Sequence, residues 1–177
     1  GSGTALADDP ALTARRGDRV VSRPVRVLVD SRLRVPAAAR LYSDDEGART
    51  LVMTRKGARG RRSVAATGAE LLDLPGSPGA MDLTAGMRAL AEAGLTTVLV
   101  EGGGGLAGAL VREDLVDEIH WILAPVLLGR EGRPALGSLG IRALAQAPKL
   151  EWVGVGRLGD DIHITARRRV GHGDNKQ

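Results

Sequence analysis

The chain has 177 residues, 43% of them hydrophobic, and 25 Lys or Arg against 21 Asp or Glu give a net charge of +4. That length suits one domain with a sizeable core, and the apolar content and mixed charges exclude a disordered chain. The absence of cysteine excludes disulfides, thiolate metal sites and cysteine nucleophiles together.

The opening GSGTALADDPALTARRGD reads as a loop motif. Asp8-Asp9-Pro10 is a turn signal, since Asp side chains bond nearby amides and Pro fixes φ. From residue 24, PVRVLVDS alternates Val25, Val27 and Val29 against Arg26 and Leu28, a strand pattern that ends in the polar pair Asp30-Ser31. Pro36 to Leu41 reads as a short helical turn, and Ser43 to Gly47 as a polar loop. Thr50 to Thr54 is a second buried strand, Lys56 to Arg62 a basic Gly-rich loop, and Ser63 to Thr67 helix or loop. Glu70 to Leu74 is a third short strand, and Pro75 to Gly79 a breaker segment. Asp82 caps a helix whose Leu83, Met87, Leu90 and Ala91 share one face and which Gly94 closes.

A strand is expected from Leu95 to Val100, then Glu101, then four glycines, Gly102 to Gly105, then a helix from about Leu106 to Arg112. Glu118 to Ala124 reads as a strand stopped by Pro125, and Val126 to Pro134 as a Gly/Pro-rich loop. Leu150 to Arg157 and Asp161 to Ala166 form a hairpin about Gly159-Asp160. The tail from Gly171 to Gln177 is expected to be disordered. Alternating helix and strand followed by an antiparallel hairpin indicates an α/β domain with a mixed sheet.

Two Trp, one Tyr and no Phe leave little to stack on bases, and no dense Lys/Arg block occurs in the body of the chain, so nucleic acid is not expected as a partner. No apolar run approaches the roughly 20 residues of a membrane helix, and no leader-like segment opens the chain. A cytoplasmic protein is the expectation. His120, His163 and His172 lack the mutual spacing of a zinc site, and no metal is expected.

The chemistry concentrates at Thr96 to Leu110, TTVLVEGGGGLAGAL. Strand, bare-backbone turn and helix N-terminus make an anion site: without Cβ atoms the backbone can approach a ligand, and free amides and the helix dipole favour negative charge. Gly103-x-Gly105-x-x-Gly108 also fits the dinucleotide fingerprint. The usual dinucleotide fold, however, needs a crossover helix and then an acidic residue at the end of the next strand. Here the helix is short, and Asp117 and Glu118 stand at the start of the next strand.

TTVLVEGGGGLAGALVREDLVDEIHWILAPVLLG, together with GSGTALADDPALTAR and RPVRVLVDSRLRVP, closely resembles the reductase domain of bacterial riboflavin biosynthesis protein RibD. Three separate motifs agree in order and spacing, over most of residues 1–170. The resemblance implies a dihydrofolate reductase-like fold, a mixed, mostly parallel sheet flanked by helices with a C-terminal antiparallel hairpin, and a homodimer. It implies NADPH as cofactor, and as substrate a phosphorylated pyrimidine, 5-amino-6-(5-phosphoribosylamino)uracil, reduced at C1′ of the ring-opened ribosylamine. Thr4, Asp8 and Ser31 would then touch the cofactor, and the backbone of Gly103, Gly104, Gly105, Leu106, Ala107, Gly108 and Ala109 would cradle its phosphate. Leu12 and Arg15 would line the substrate site, Arg15 at the phosphate. Glu101 would meet the substrate, as proton donor or by positioning alone.

Relatives of that family begin the domain with a further strand and helix, so residues 1–170 are expected to be this domain without those two elements. The family's zinc deaminase carries a P-C-x-x-C motif, which a cysteine-free stretch cannot supply. The alternatives are a related dihydrofolate reductase-like NADPH enzyme with another substrate, and an inactive nucleotide-binding module.

Overall fold

The computed structural model describes residues 1–43, 47–77 and 80–169. The expected tail and His172 therefore lie outside the described residues, as do parts of the 43–47 loop and of the 75–79 breaker. Two compact units divide the chain, Gly1–Leu106 and Ala107–Gln177.

The first unit opens with helix α1 (Ser2–Asp8), which corrects the loop expected there. Ala5, Leu6 and Ala7 favour helix, and Asp9, in the left-handed region at φ 40°, ends it before Pro10. A small hairpin follows, β1 (Ala14–Arg16) and β2 (Arg19–Ser22), turning at Gly17 with φ 58°. Then come β3 (Arg26–Val29), β4 (Thr50–Arg55), α2 (Arg61–Ala65) and β5 (Glu70–Leu74). A two-residue pair, β6 (Gly76–Ser77) and β7 (Ala80–Met81), leads to α3 (Leu83–Glu92).

Strands β3, β4 and β5 form a parallel sheet with β4 in the middle. Alternation along β4 sends Val52 to one face and Leu51 and Met53 to the other. On the first face Val52 joins Leu28, Ala5 of α1 and Val64 of α2. On the second, Leu51 and Met53 join Leu74 and Leu90, with Val25, Val27 and Val29 packed alongside. Both faces are covered by helices, as a parallel sheet requires. Burying Leu90 of α3, 2% exposed, is worth about 1.5–3 kcal/mol. Asp82 caps α3 by accepting from the Ala85 amide at 2.8 Å, and Gly94 follows with φ 86°, so this helix matches its sequence signals at both ends.

Two expectations change here. From Pro36 the chain makes a turn, with the Ala39 amide donating to the Pro36 carbonyl, and then a short 3₁₀ turn over Arg40–Tyr42. Leu95 to Val100 is not a ladder strand: no described strand pairs with it. The β-branched pattern gives an extended preference, but a strand also needs a neighbour to take its amides and carbonyls. Leu99 is 77% exposed, while Leu95 and Val98 pack on the second cluster.

Helix α4 (Gly104–Arg112) begins two residues earlier than the sequence suggested and runs from the first unit into the second. The second unit holds an antiparallel sheet of β8 (Glu118–Leu123), β9 (Leu150–Leu158) and β10 (Asp161–Arg168), in the order β8-β10-β9. The expected hairpin is thus β9 and β10, with Leu158 opposite Asp161 and a bulge near Trp152. Trp121 of β8 and Trp152 of β9 meet across β10, ring centres 6.1 Å apart, over the fully buried Ala166. Among the described residues no helix is long and apolar enough to cross a membrane.

Candidate active site

The glycine stretch is held by α1. Thr4 accepts a hydrogen bond from the Gly103 amide at 2.9 Å through its hydroxyl. Gly1 lies against Leu106, where a Cβ on Gly1 would stand 3.5 Å from the Leu106 side chain. A Cβ on Gly102 would come within 2.9 Å of Leu106 Cδ2, and one on Gly103 within 3.3 Å of the Thr4 hydroxyl. A larger residue at either position would press on the Leu106 or Thr4 side chain, which would have to shift. Gly105 differs, because nothing lies within 4 Å of its Cβ position. Gly104 and Gly105 open α4 and their amides have no carbonyl a turn earlier in the helix, whereas the Leu106 amide donates to the Gly103 carbonyl at 3.0 Å. Free amides beside an unfilled Cβ position suit an anionic group, and to that extent these residues fit a dinucleotide phosphate.

Further along α4, Ala107 and Ala109 are half-buried and Gly108 is buried. A Cβ on Gly108 would lie 3.0 Å from the Gly137 carbonyl oxygen. Close backbone packing within the second unit alone accounts for glycine at 108.

Both ends of α1 meet the segment that follows β3. Asp9 accepts from the Arg40 amide at 2.8 Å, and Ser2 from the Arg34 guanidinium at 2.7 Å. Asp30, 1% exposed at the end of β3, accepts from the amides of Val35 at 2.9 Å and Arg32 at 3.3 Å. Its carboxylate thereby shapes the bend that carries half-buried Ser31. Burial, and then the Asp30 charge, push the Tyr42 hydroxyl up to about 12. Arg26, also buried, donates to the carbonyls of Leu41 and Ser43 and ties the 3₁₀ turn to β3.

The expected site residues divide accordingly. Thr4 and Gly103 are in direct contact, and Asp8, exposed, lies one helical turn from Thr4 on the same face of α1. Glu101 is exposed immediately before the glycines. Leu12 is half-buried with φ 50°, a strained backbone for a branched residue. Arg15, exposed on β1, bonds the Thr13 hydroxyl and the Asp18 carbonyl, so its contacts stay within its own hairpin.

Sequence spacing did not reveal one cluster in the second unit. His120 Nδ1 and His163 Nε2 are 2.9 Å apart, His120 Nε2 is 2.8 Å from Glu118, and Arg167 donates to Glu118 at 2.6 Å. The Arg167 hydrogen bond, ahead of His120, holds the Glu118 carboxyl below its usual range. The strand register creates this row. Its members line one face of β8 and β10. Among the described residues no three His, Asp or Glu side chains are placed to hold a metal ion.

Comparison with known proteins gives this geometry a family. The family described as RibD C-terminal domain matches residues 1–164. The chain belongs to that family. It is 34% identical over 169 residues to the riboflavin biosynthesis protein RibD of Bacillus amyloliquefaciens, covering 94% of this chain and 44% of the relative. It is also 34% identical over 185 residues to the 2,5-diamino-6-ribosylamino-4(3H)-pyrimidinone 5′-phosphate reductase of Archaeoglobus fulgidus, covering 94% of this chain and 77% of that protein. Among solved structures, Acinetobacter baumannii RibD superposes with a TM-score of 0.80 at 27% identity, over 96% of this chain and 46% of that one. The chain thus spans about half the length of the RibD relatives that it matches. The mixed α/β fold expected from the resemblance is shared with these RibD reductase structures.

Proposed function

We propose that this chain is the NADPH-dependent reductase domain of riboflavin biosynthesis, converting 5-amino-6-(5-phosphoribosylamino)uracil to its ribitylamino product as a cytoplasmic homodimer. The observation that carries this reading is the likeness, along 94% of the chain, to a relative named as a reductase of a ribosylaminopyrimidine phosphate.

The substrate's ribosylamine opens to an imine, which makes C1′ electrophilic. When bound, the reduced nicotinamide supplies the hydride to C1′, and a proton reaches the nitrogen. The protein's part is to hold two ligands in register and keep water from the reacting carbon. Thr4 and Asp8, one turn apart on α1, and Ser31 would hold the cofactor, with the backbone of Gly103 to Ala109 against its phosphate. Leu12 and Arg15 would line the substrate site, the Arg15 guanidinium meeting the substrate phosphate as a charge-assisted donor. Glu101 would contact the substrate where the two ligands meet. Support for the homodimer comes from the second unit's sheet, where Leu123, Trp152, Val155 and Ile162 expose a continuous apolar face.

The name of the Archaeoglobus relative favours one second reading, in which the substrate is the diaminopyrimidinone before deamination. The test is loss of NADPH absorbance on adding each pyrimidine in turn. Consumption with the uracil compound supports the first reading, consumption only with the diaminopyrimidinone supports the second, and dihydrofolate should support none. A chain that binds no NADPH would overturn both in favour of an inactive nucleotide-binding or interaction module.

A further inference from the structure

Strand β3 ends in a carboxylate to which the reductase reading gives no role. Asp30 is 1% exposed, and a carboxylate taken out of water is costly unless its oxygens are bonded. All three of its oxygens accept amides from the next five residues. The main-chain carbonyl accepts from Leu33 at 3.2 Å, Oδ1 from Arg32 at 3.3 Å and Oδ2 from Val35 at 2.9 Å. The segment from Ser31 to Val35 is thereby wrapped around one residue. It needs that support, because Leu33 stands at φ 51°, in the left-handed region that branched residues avoid. With the side chain buried and both carboxylate oxygens engaged, Asp30 acts through this bend and not by touching a ligand.

The bend reaches two places. Ser31 stands at its start, half-buried beyond the end of β3, where open α/β sheets bind ligands. Arg34 leaves its far side, and the guanidinium donates to the Ser2 hydroxyl of α1 at 2.7 Å. Further along α1, Thr4 accepts the Gly103 amide at 2.9 Å. At about 100° per residue, Ser2 and Thr4 lie roughly 200° apart round the helix. Helix α1 therefore stands between the bend and the glycine turn, tied to each through a side-chain hydroxyl.

We propose that Asp30 is a positioning residue for the nicotinamide cofactor, setting Ser31 directly and the glycine turn through Arg34, Ser2 and Thr4. The proposal rests on the reductase reading, in which Ser31 and the glycine turn face NADPH. A ligand that bridges two segments gains affinity when neither has to be ordered on binding. Asp30 orders the first segment beforehand and, by way of α1, sets its spacing from the second.

The full chain is titrated with NADPH, followed by the fluorescence of the nicotinamide. In Asp30→Asn one carboxylate oxygen becomes an amino group facing a backbone amide, from which it cannot accept. Loss of that charge-assisted bond should weaken NADPH about tenfold, with kcat at saturating cofactor within about twofold of wild type. Asp30→Asn should cost less in a Ser31→Ala background than in wild type, because part of its effect passes through Ser31. Tyr42→Phe, which removes another buried polar group beside Asp30, should leave NADPH affinity unchanged. Without cofactor, trypsin should cut after Arg32 and Arg34 faster in Asp30→Asn than in wild type, as read by mass spectrometry.

Wild-type NADPH affinity in Asp30→Asn would overturn the proposal even with faster cleavage, since the bend would then serve the fold alone. Additive losses with Ser31→Ala, or an equal loss in Tyr42→Phe, would overturn it too. If Asp30→Asn fails to fold by circular dichroism, Arg34→Met and Ser2→Ala decide the matter. Each should weaken NADPH, and the double variant no more than the worse single one; wild-type affinity in both would overturn the proposal. A wild-type chain that binds no NADPH removes the reductase reading and this proposal with it, whereas every other outcome leaves that reading intact.

Discussion

The Thr4 hydroxyl accepts the Gly103 amide proton at 2.9 Å across 99 positions of sequence. This bond ties the first helix to the glycine turn and fixes where α4 begins. Thr4→Val keeps the shape and removes the acceptor, a change worth about 1 kcal/mol at a site open to water. The expected result is a rise of about fivefold in KM for NADPH with little change in kcat, restored by Thr4→Ser. Wild-type cofactor affinity in Thr4→Val would mean that the bond does not organise the cradle.

Gly105 and Gly108 lie three residues apart and should respond in opposite ways. A Cβ at 108 would stand 3.0 Å from the Gly137 carbonyl oxygen, and relieving that contact should cost about 1–3 kcal/mol. Thermal unfolding of Gly108→Ala is expected to fall by several degrees, with about 2–4 °C per kcal/mol in a chain of this size. A Cβ at 105 meets nothing, and replacing glycine in a helix gains at most about 1 kcal/mol. Gly105→Ala should keep or raise the melting temperature while weakening NADPH about tenfold, if the backbone there faces phosphate. Unchanged affinity in Gly105→Ala would remove that residue from the cradle.

The contrast between these glycines shows what the sequence could carry. Four glycines in a row announced a close approach, and the strands β3, β4 and β5, helix α3 with its Asp82 cap, and the β9–β10 hairpin were all legible from period and punctuation. The reason for each glycine was not. A Cβ at 102 would press on the Leu106 side chain and one at 108 on the Gly137 backbone, contacts that no local pattern encodes. Helix α1 was missed because Gly, Ser and Thr at its start resemble a loop. The ladder expected at Leu95 to Val100 failed because alternation records a preference and not a partner. The His120–His163 contact arises from the register of β8 on β10, which brings together positions 43 apart.

Tyr42 is the only tyrosine in the chain, so its titration can be read directly. Burial, then the Asp30 carboxylate, raise its hydroxyl to about 12, against about 10 in an unfolded chain. The folded state therefore holds the proton more tightly. The resulting stability is fully present below pH 10 and is lost as the pH rises through 12, about 2–3 kcal/mol in all. Phenolate absorbance should show a midpoint near 12 that drops toward 10 in denaturant. The hydroxyl is buried with no hydrogen-bond partner among the described residues, so Tyr42→Phe should match or slightly exceed wild-type stability at neutral pH and remove this alkaline loss. A native midpoint near 10 would show that the hydroxyl is open to water.

Glu101 stands exposed directly before the four glycines. Its two possible roles separate in the variant Glu101→Gln, which keeps size and hydrogen-bonding capacity and removes the proton. Positioning alone predicts turnover within about threefold of wild type and a raised substrate KM, the loss of a charge-assisted bond being worth roughly tenfold in binding. General-acid catalysis predicts a fall in kcat of roughly 10²–10⁴-fold, together with loss of one limb of the pH–rate profile. Positioning is the expected outcome: the side chain is exposed, and no second group among the described residues is hydrogen-bonded to it to relay a proton. A collapse of kcat at unchanged KM would reassign Glu101 as the proton donor. An unchanged kcat and KM would remove it from the site altogether, and the contact with substrate would have to come from elsewhere in the first unit.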